Sequence, residues 1–232
     1  ETLSQYAALM VMKNHAGQNK MKKFLRYESN QYLSGRGRES EGEKPLMYAN
    51  PGQGYILYRK GSVVMYALQD YIGEDSVNMA IKRFLAKTAF QEPPYTTTRE
   101  FVAELKQVTP DSLQYLITDW FEEITIYKNK VKDPVYEEKD GKYTVEFTIE
   151  SQKFKADSIG HETEVELKEW IDVGVFNEKG IPLYMQKYKF TDQETKLSLE
   201  VDEKPFKVAV DPYYKLIDRN IYDNEEKVEE KG

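Results

Sequence analysis

The first half of the chain carries apolar residues at helical spacing. From Leu3 onward they recur at i, i+3 and i+4, which predicts an amphipathic helix that ends at Gly17. Further helices, separated by turns rich in glycine and proline, are predicted at about residues 19–33, 55–72, 75–85, 97–105 and 110–123. The pattern therefore predicts a helical region that continues to about residue 123.

Near Ile124 the apolar period changes from 3.6 to 2. Apolar and polar side chains alternate through residues 143–150, as in a strand with one buried face. The dipeptide Asp140-Gly141 lies between two such runs and is typical of a tight hairpin. Further strands are predicted at residues 164–176, 183–190, 196–201 and 206–210. Short strands joined by tight turns favour a β-sandwich of immunoglobulin-like size.

These two periods predict an α+β protein with three regions. Residues 1–124 are expected to form a helical lobe, and residues 125–217 a β-sandwich. Residues 218–232 are mostly charged and offer little apolar surface to bury, so we expect a disordered acidic tail.

Composition narrows the class of function. The formal charge of −7 argues against nucleic-acid binding. The chain has no cysteine, which excludes disulfides and thiolate chemistry without indicating a compartment. The longest strongly apolar run, residues 7–12, is too short to cross a bilayer, so we expect a soluble domain. Because the sequence opens on Glu1-Thr2-Leu3, it is expected to be part of a longer protein.

Candidate chemistry is sparse when the residues are considered alone. The two histidines, His15 and His161, lie in different halves, so the sequence contains no HExxH motif and predicts no self-contained histidine zinc site. A Ser-His-Asp triad assembles in space, and sequence spacing leaves it open. Both histidines, together with Arg36 and Arg38, are expected to be solvated. On this basis the sequence predicts two domains but no function.

Two short segments resemble a known enzyme family. The segment Glu1-Thr2-Leu3-Ser4-Gln5-Tyr6 is similar to Asn-Glu-Gly-Phe-Ala-x-Tyr, which follows HExxH in the aminopeptidase N family of gluzincin metallopeptidases. Thr2-Leu3-Ser4 departs from Gly-Phe-Ala. The segment Tyr58-Arg59-Lys60-Gly61 is similar to the family's Tyr-x-Lys-Gly. Residues 3–12 and 55–71 most resemble bacterial members that are fused to transporter permease segments.

The resemblance implies a zinc aminopeptidase that hydrolyses N-terminal residues from peptides. Glu1 falls on the third zinc ligand, and Tyr58 on the tyrosine that stabilises the oxyanion. Lys60 is expected to be solvated, and Gly61 to allow close helix packing. The order of domains in the family also implies that the helical lobe is the C-terminal half of a thermolysin-like catalytic domain, followed by an immunoglobulin-like β-sandwich.

The same resemblance implies that most of the metal site lies upstream of Glu1. HExxH and the family's Gly-x-Met-Glu-Asn segment would both be there, so zinc is expected in the full-length parent and none in this fragment, which is expected to be inactive alone. The expected partners are peptide substrate, the upstream half of the catalytic domain and membrane segments elsewhere in the parent, with no nucleic acid. Two alternatives stay open: a family member that has lost activity, and a non-catalytic binding or scaffolding module.

Overall fold

The computed structural model describes residues 1–231, which divide into two compact units. The first contains Glu1–Thr125 and Lys155–Glu162; the second contains Ile126–Phe154 and the residues from Thr163 onward. The expected boundary after residue 124 lies beside this division. The sequence pattern did not predict that residues 155–162 would join the helical unit, because this grouping depends on contacts with distant residues, such as those of Lys155 with Asp119 and of Glu162 with Arg36.

Helices make up most of the first unit. The α-helices in the described chain are α1 (Thr2–Ala16), α2 (Gln18–Arg36), α3 (Gly61–Ile72), α4 (Glu74–Thr88), α5 (Thr98–Val108) and α6 (Gln114–Ile117). Short 3-10 turns cover Leu46–Tyr48 and Asp111–Leu113, and π-helical turns cover Tyr55–Lys60 and Thr118–Glu122. Gly17 and Gly73 lie at the ends of α1 and α3 with positive φ angles, as expected of glycine there.

Helix α3 forms the centre of this unit. Its residues from Gly61 to Gln69 are all buried, and α1, α2 and α4 contact it. The run Val63-Val64-Met65 with Ala67 and Leu68 is apolar on every face, and a helix with this pattern is stable only when it is enclosed. The neighbouring α5 is capped by Thr97, which forms a capping box with Glu100.

Strands β1–β9 form two sheets. Their bounds are β1 (Ile124–Lys139), β2 (Lys142–Ala156), β3 (Glu162–Val165), β4 (Glu169–Phe176), β5 (Pro182–Phe190), β6 (Glu194–Val201), β7 (Lys207–Val210), β8 (Glu225–Lys227) and β9 (Glu229–Glu230). One sheet has the order β3-β2-β1-β9, with β6 also paired to β2, and the other has the order β5-β4-β7-β8. The chain is therefore a mixed α+β protein, with helices first and two sheets after them.

The predicted alternation and hairpin are confirmed. In β2, Val145, Phe147 and Ile149 are buried while the residues between them are more exposed. Asp140 and Gly141 join β1 to β2 with φ angles of 53° and 78°, the left-handed pair that a tight hairpin turn requires.

The tail predicted to be disordered is ordered over its described part, so that expectation is wrong. Asp218 is buried, and its carboxylate accepts hydrogen bonds from the backbone and side chain of Asn129 at 2.9 and 2.8 Å. Farther along, β8 pairs with β7, β9 pairs parallel with β1, and Tyr136 donates to Glu230 at 2.8 Å. Acidic residues here are held by amide and hydroxyl donors that a count of charge and hydropathy does not reveal. Within residues 1–231, no helix is long and apolar enough to cross a membrane.

Candidate functional site

Glu1 and Tyr58, the two site residues predicted from the sequence, lie together. Glu1 is exposed and immediately precedes α1, while Tyr58 lies on the π-helical turn before α3 with 39% of its surface exposed. The pKa of Tyr58 is raised, chiefly by the polar interaction of its hydroxyl with the Glu1 carboxylate, then by desolvation and by the charge of Glu1. The phenol therefore stays protonated, and able to donate, at neutral pH.

A close approach between α1 and the start of α3 brings this pair together. The Thr2 hydroxyl donates to the carbonyl oxygen of Leu57 at 2.6 Å. A Cβ atom on Gly61 would lie only 2.3 Å from the Thr2 hydroxyl oxygen, so no side chain fits there unless Thr2 moves. The expectation that Gly61 allows close helix packing is thus confirmed, and this packing places Glu1 beside Tyr58.

An ion pair fixes the π-helical turn from its other side. Arg59 donates from Nη1 to both carboxylate oxygens of Glu28 on α2, at 3.2 and 3.1 Å, and Gln5 of α1 donates to Glu28 at 3.2 Å. Glu28 is buried, so its charge is compensated by this arginine and amide. Helices α1 and α2 and the turn that carries Tyr58 therefore share one polar junction.

A cleft of about 290 Å³ opens beside Glu1. The side chains that line it are mostly apolar: Thr2, Leu3, Leu46, Leu57, Phe84, Thr96, Thr97, Thr98, Phe101 and Phe121, with Glu1 contributing the carboxylate. Its lining suits an apolar group with one charged or polar end.

Lys60, which was predicted to be solvated, is 1% exposed, so that prediction is wrong. Burial lowers its pKa to about 8. The Lys60 ammonium lies 5.5 Å from the centre of the Tyr32 ring and 3.5 Å from the carbonyl oxygen of Glu123. The π-helical turn changes the phase of the helix here, so the motif's lysine faces the interior while Tyr58 faces outward.

Arg36, also predicted to be solvated, belongs to a mostly buried network. Arg36 lies in the last turn of α2 and donates from Nε to Glu43 at 2.6 Å and from Nη1 to Glu162 at 3.1 Å. The Tyr32 hydroxyl donates to the other oxygen of Glu43, and burial is the main cause of the raised pKa of Tyr32. Sequence spacing gave no sign of these contacts, because Glu43 lies in an irregular loop and Glu162 is far along the chain.

No further metal-binding group lies near this pair. Among residues 1–231, no three His, Cys, Asp or Glu side chains form a group that could hold a metal ion. His15 is exposed, and His161 is exposed beside Asp157, with Nδ1 3.4 Å from a carboxylate oxygen. In the described chain, Glu1 is thus the carboxylate available beside Tyr58.

Comparisons with known proteins leave the family open. No protein-family model matches the chain, and no curated protein matches it significantly.

Proposed function

We propose that this chain is the C-terminal part of a bacterial zinc aminopeptidase of the aminopeptidase N type, with Glu1 as a zinc ligand and Tyr58 as the oxyanion donor. The observation that carries the proposal is that the two residues are brought side by side: Thr2 is bonded to Leu57, and the Glu1 carboxylate raises the pKa of Tyr58. The two residues come from separate motifs that share no local structure. Their meeting is what a shared catalytic site requires, and accidental motif matches give no reason for it.

The described residues supply only part of a catalytic zinc site. A catalytic zinc normally has three protein ligands, and Glu1 offers one exposed carboxylate. Two histidines would have to come from an HExxH helix upstream of Glu1. A zinc ion bound there would polarise the peptide carbonyl and activate water. Tyr58, protonated at neutral pH, would donate its hydroxyl to the carbonyl oxygen on which negative charge develops.

The fold is consistent with this assignment. We assign residues 1–124 to the C-terminal half of a thermolysin-like catalytic domain, supported by the central apolar α3 and by Gly61 at its start. We assign the strands from residue 125 onward to an immunoglobulin-like β-sandwich, supported by the alternating burial of β2 and by the antiparallel pairing of β4 with β5 and β7.

On this proposal the chain needs other parts of its parent protein in order to act. With one ligand the isolated chain should not hold catalytic zinc or hydrolyse peptides. Its partners would be the upstream half of the catalytic domain and a peptide substrate, within a parent that also contains membrane segments.

Zinc binding by the protein extended to include its natural upstream sequence tests the proposal. The extended wild type should hold about one zinc ion. Glu1→Gln removes the ligand charge at nearly constant size, so zinc affinity should fall by at least ~100-fold, because even outer-shell changes cost up to that much. Glu41→Gln, an exposed carboxylate elsewhere, is the matched control and should bind zinc normally.

Two results would contradict the proposal. Unchanged zinc affinity in Glu1→Gln would remove Glu1 from the site. An extended protein that binds no zinc would favour the non-catalytic binding or scaffolding module.

A further inference from the structure

The end of α4 and the loop after it, residues 79–97, concentrate exposed apolar side chains; we call this stretch the α4 tip. Among residues 1–231, twelve large apolar side chains are exposed, and four of them lie in the α4 tip: Met79, Leu85, Phe90 and Tyr95. The remaining eight are scattered along the rest of the chain. Concentrated exposed apolar side chains of this kind mark interaction sites.

Phe90 occupies a backbone conformation that a bulky side chain rarely adopts. Its φ angle is 61°, in the left-handed region that favours glycine or asparagine, and the residue is fully exposed. The loop around it is held in place, since Gln91 donates from its side chain to the Pro94 carbonyl at 2.7 Å and from its backbone to the Thr88 carbonyl at 3.2 Å. A strained residue that presents its whole ring to water points to a role in binding.

The outward face of α4 adds positive charge to this apolar surface. The exposed positions on that face recur one turn apart: Met79, Lys82, Arg83 and Ala86. Neither Lys82 nor Arg83 forms an ion pair with any residue that the structure describes. A helix face that mixes free cations with apolar residues, next to exposed aromatic rings, is typical of proteins that lie on a membrane surface.

The charge of the α4 tip is opposite to that of the chain as a whole. Residues 79–97 contain three cations, Lys82, Arg83 and Lys87, of which Lys87 is paired with Glu104, against the single carboxylate of Glu92, whereas the chain carries a formal charge of −7. An anionic surface would therefore repel most of the molecule and attract this one patch.

From these observations we infer that the α4 tip is a docking surface for an anionic lipid bilayer. Phe90 and Tyr95 enter the interface between head groups and acyl chains, while Lys82 and Arg83 contact lipid phosphates. The inference does not depend on the proposed peptidase activity.

Charge also argues against a second copy of the chain as the occupant. A two-fold dimer formed through this patch would place it against itself, so Lys82 and Arg83 would face the same cations of the other copy. Like charges opposed in this way disfavour association.

Co-sedimentation of the 232-residue chain with lipid vesicles tests the inference. Binding should be detectable with vesicles of phosphatidylcholine and phosphatidylserine, weak with phosphatidylcholine alone, and reduced by added salt. Phe90→Asn suits the left-handed backbone and removes the ring, so it should weaken binding about tenfold or more. Lys82→Gln and Arg83→Gln should each weaken it about fivefold.

Matched controls come from exposed residues outside the α4 tip. Tyr222→Asn removes an aromatic ring that is also largely exposed, and Lys179→Gln removes a cation from an exposed turn. Both should bind vesicles like the wild type. All the variants change exposed side chains, and circular dichroism should confirm that each one is folded.

Three outcomes would overturn the inference. The first is no binding to the anionic vesicles at low salt. The second is binding that Phe90→Asn and the control Tyr222→Asn weaken equally. The third is self-association of the wild type that Phe90→Asn abolishes while vesicle binding stays unchanged, which would make the α4 tip a contact between copies.

Discussion

The Glu1 carboxylate lies close enough to the Tyr58 hydroxyl to raise its pKa, although one residue lies on a π-helical turn and the other precedes a different helix. Thr2 and Gly61 set this geometry. The Thr2 hydroxyl is bonded to the Leu57 carbonyl, and Gly61 leaves just enough space for Thr2 to reach it. The candidate site is therefore a product of helix packing as much as of the two motif residues.

Gly61→Ala should separate the two site residues. The new Cβ would overlap Thr2, so we expect a loss of about 1–3 kcal/mol in the free energy of unfolding, measured by denaturant titration. The pKa of Tyr58 should fall towards its ordinary value as Glu1 moves away, which NMR of ring-labelled tyrosine would detect.

Gly52→Ala is the matched control for this change, because no atom lies within 4 Å of its added methyl group. It should be neutral or slightly stabilising. Adding Thr2→Ala to Gly61→Ala should recover part of the lost stability through relief of the overlap. Equal stability of Gly61→Ala and Gly52→Ala would show that the approach of Thr2 is not tight.

Lys60 should make stability depend on pH in the alkaline range. Its pKa is about 8 in the folded protein and 10.5 in the unfolded chain. Between these values the unfolded chain binds more protons at this group, so the free energy of unfolding should rise with pH from about 8 to 10. Below about pH 8 the buried charge costs on the order of 3 kcal/mol, and this cost disappears above about pH 10.

Lys60→Met should remove this rise and be neutral or stabilising at pH 7, because a buried charge is replaced by an apolar side chain of similar length. Urea titrations at pH 7, 8 and 9.5 would measure the difference, with the exposed Lys44→Met as control. A Lys60→Met variant whose stability rises with pH as steeply as that of the wild type would contradict the burial of the ammonium.

Two buried tyrosines should respond differently to loss of the hydroxyl. Tyr32 donates to the buried Glu43, so Tyr32→Phe leaves that carboxylate short of a donor and should cost about 1–3 kcal/mol. The Tyr6 hydroxyl is buried without a hydrogen-bond partner among residues 1–231, so Tyr6→Phe should be neutral or stabilising by up to about 1 kcal/mol. Thermal or chemical unfolding of the two single variants tests the contrast, and equal losses of stability would disprove it.

Much of the fold could be predicted because its patterns are local. The change of period near Ile124, the hairpin at Asp140-Gly141 and the helix predicted at residues 97–105 each depend on neighbouring residues, and the structure contains all three. The ordered structure of the tail, residues 218–231, could not be predicted in this way. It depends on the distant Asn129, which donates hydrogen bonds to the buried Asp218.

The candidate site, too, could be predicted from the sequence only in part. Gly61 signalled close packing, since glycine at the start of an apolar helix has few other uses. The burial of Lys60 could not be predicted, because lysine is usually solvated and because residues 55–60 form a π-helical turn whose phase differs from that of an α-helix. The junction of Gln5, Glu28 and Arg59 joins three elements and has no sequence signature.

The most direct test of the account is the turnover of Tyr58→Phe in the zinc-loaded protein that includes the natural sequence upstream of Glu1. Because the hydroxyl acts on charge that develops only in the transition state, kcat for an aminoacyl reporter substrate should fall ~10²–10³-fold while KM changes little. Zinc content and stability should stay near those of the wild type, because Tyr58 is partly exposed and loses one oxygen atom. A wild-type kcat in a folded, zinc-loaded Tyr58→Phe protein would contradict the role of Tyr58 as the oxyanion donor.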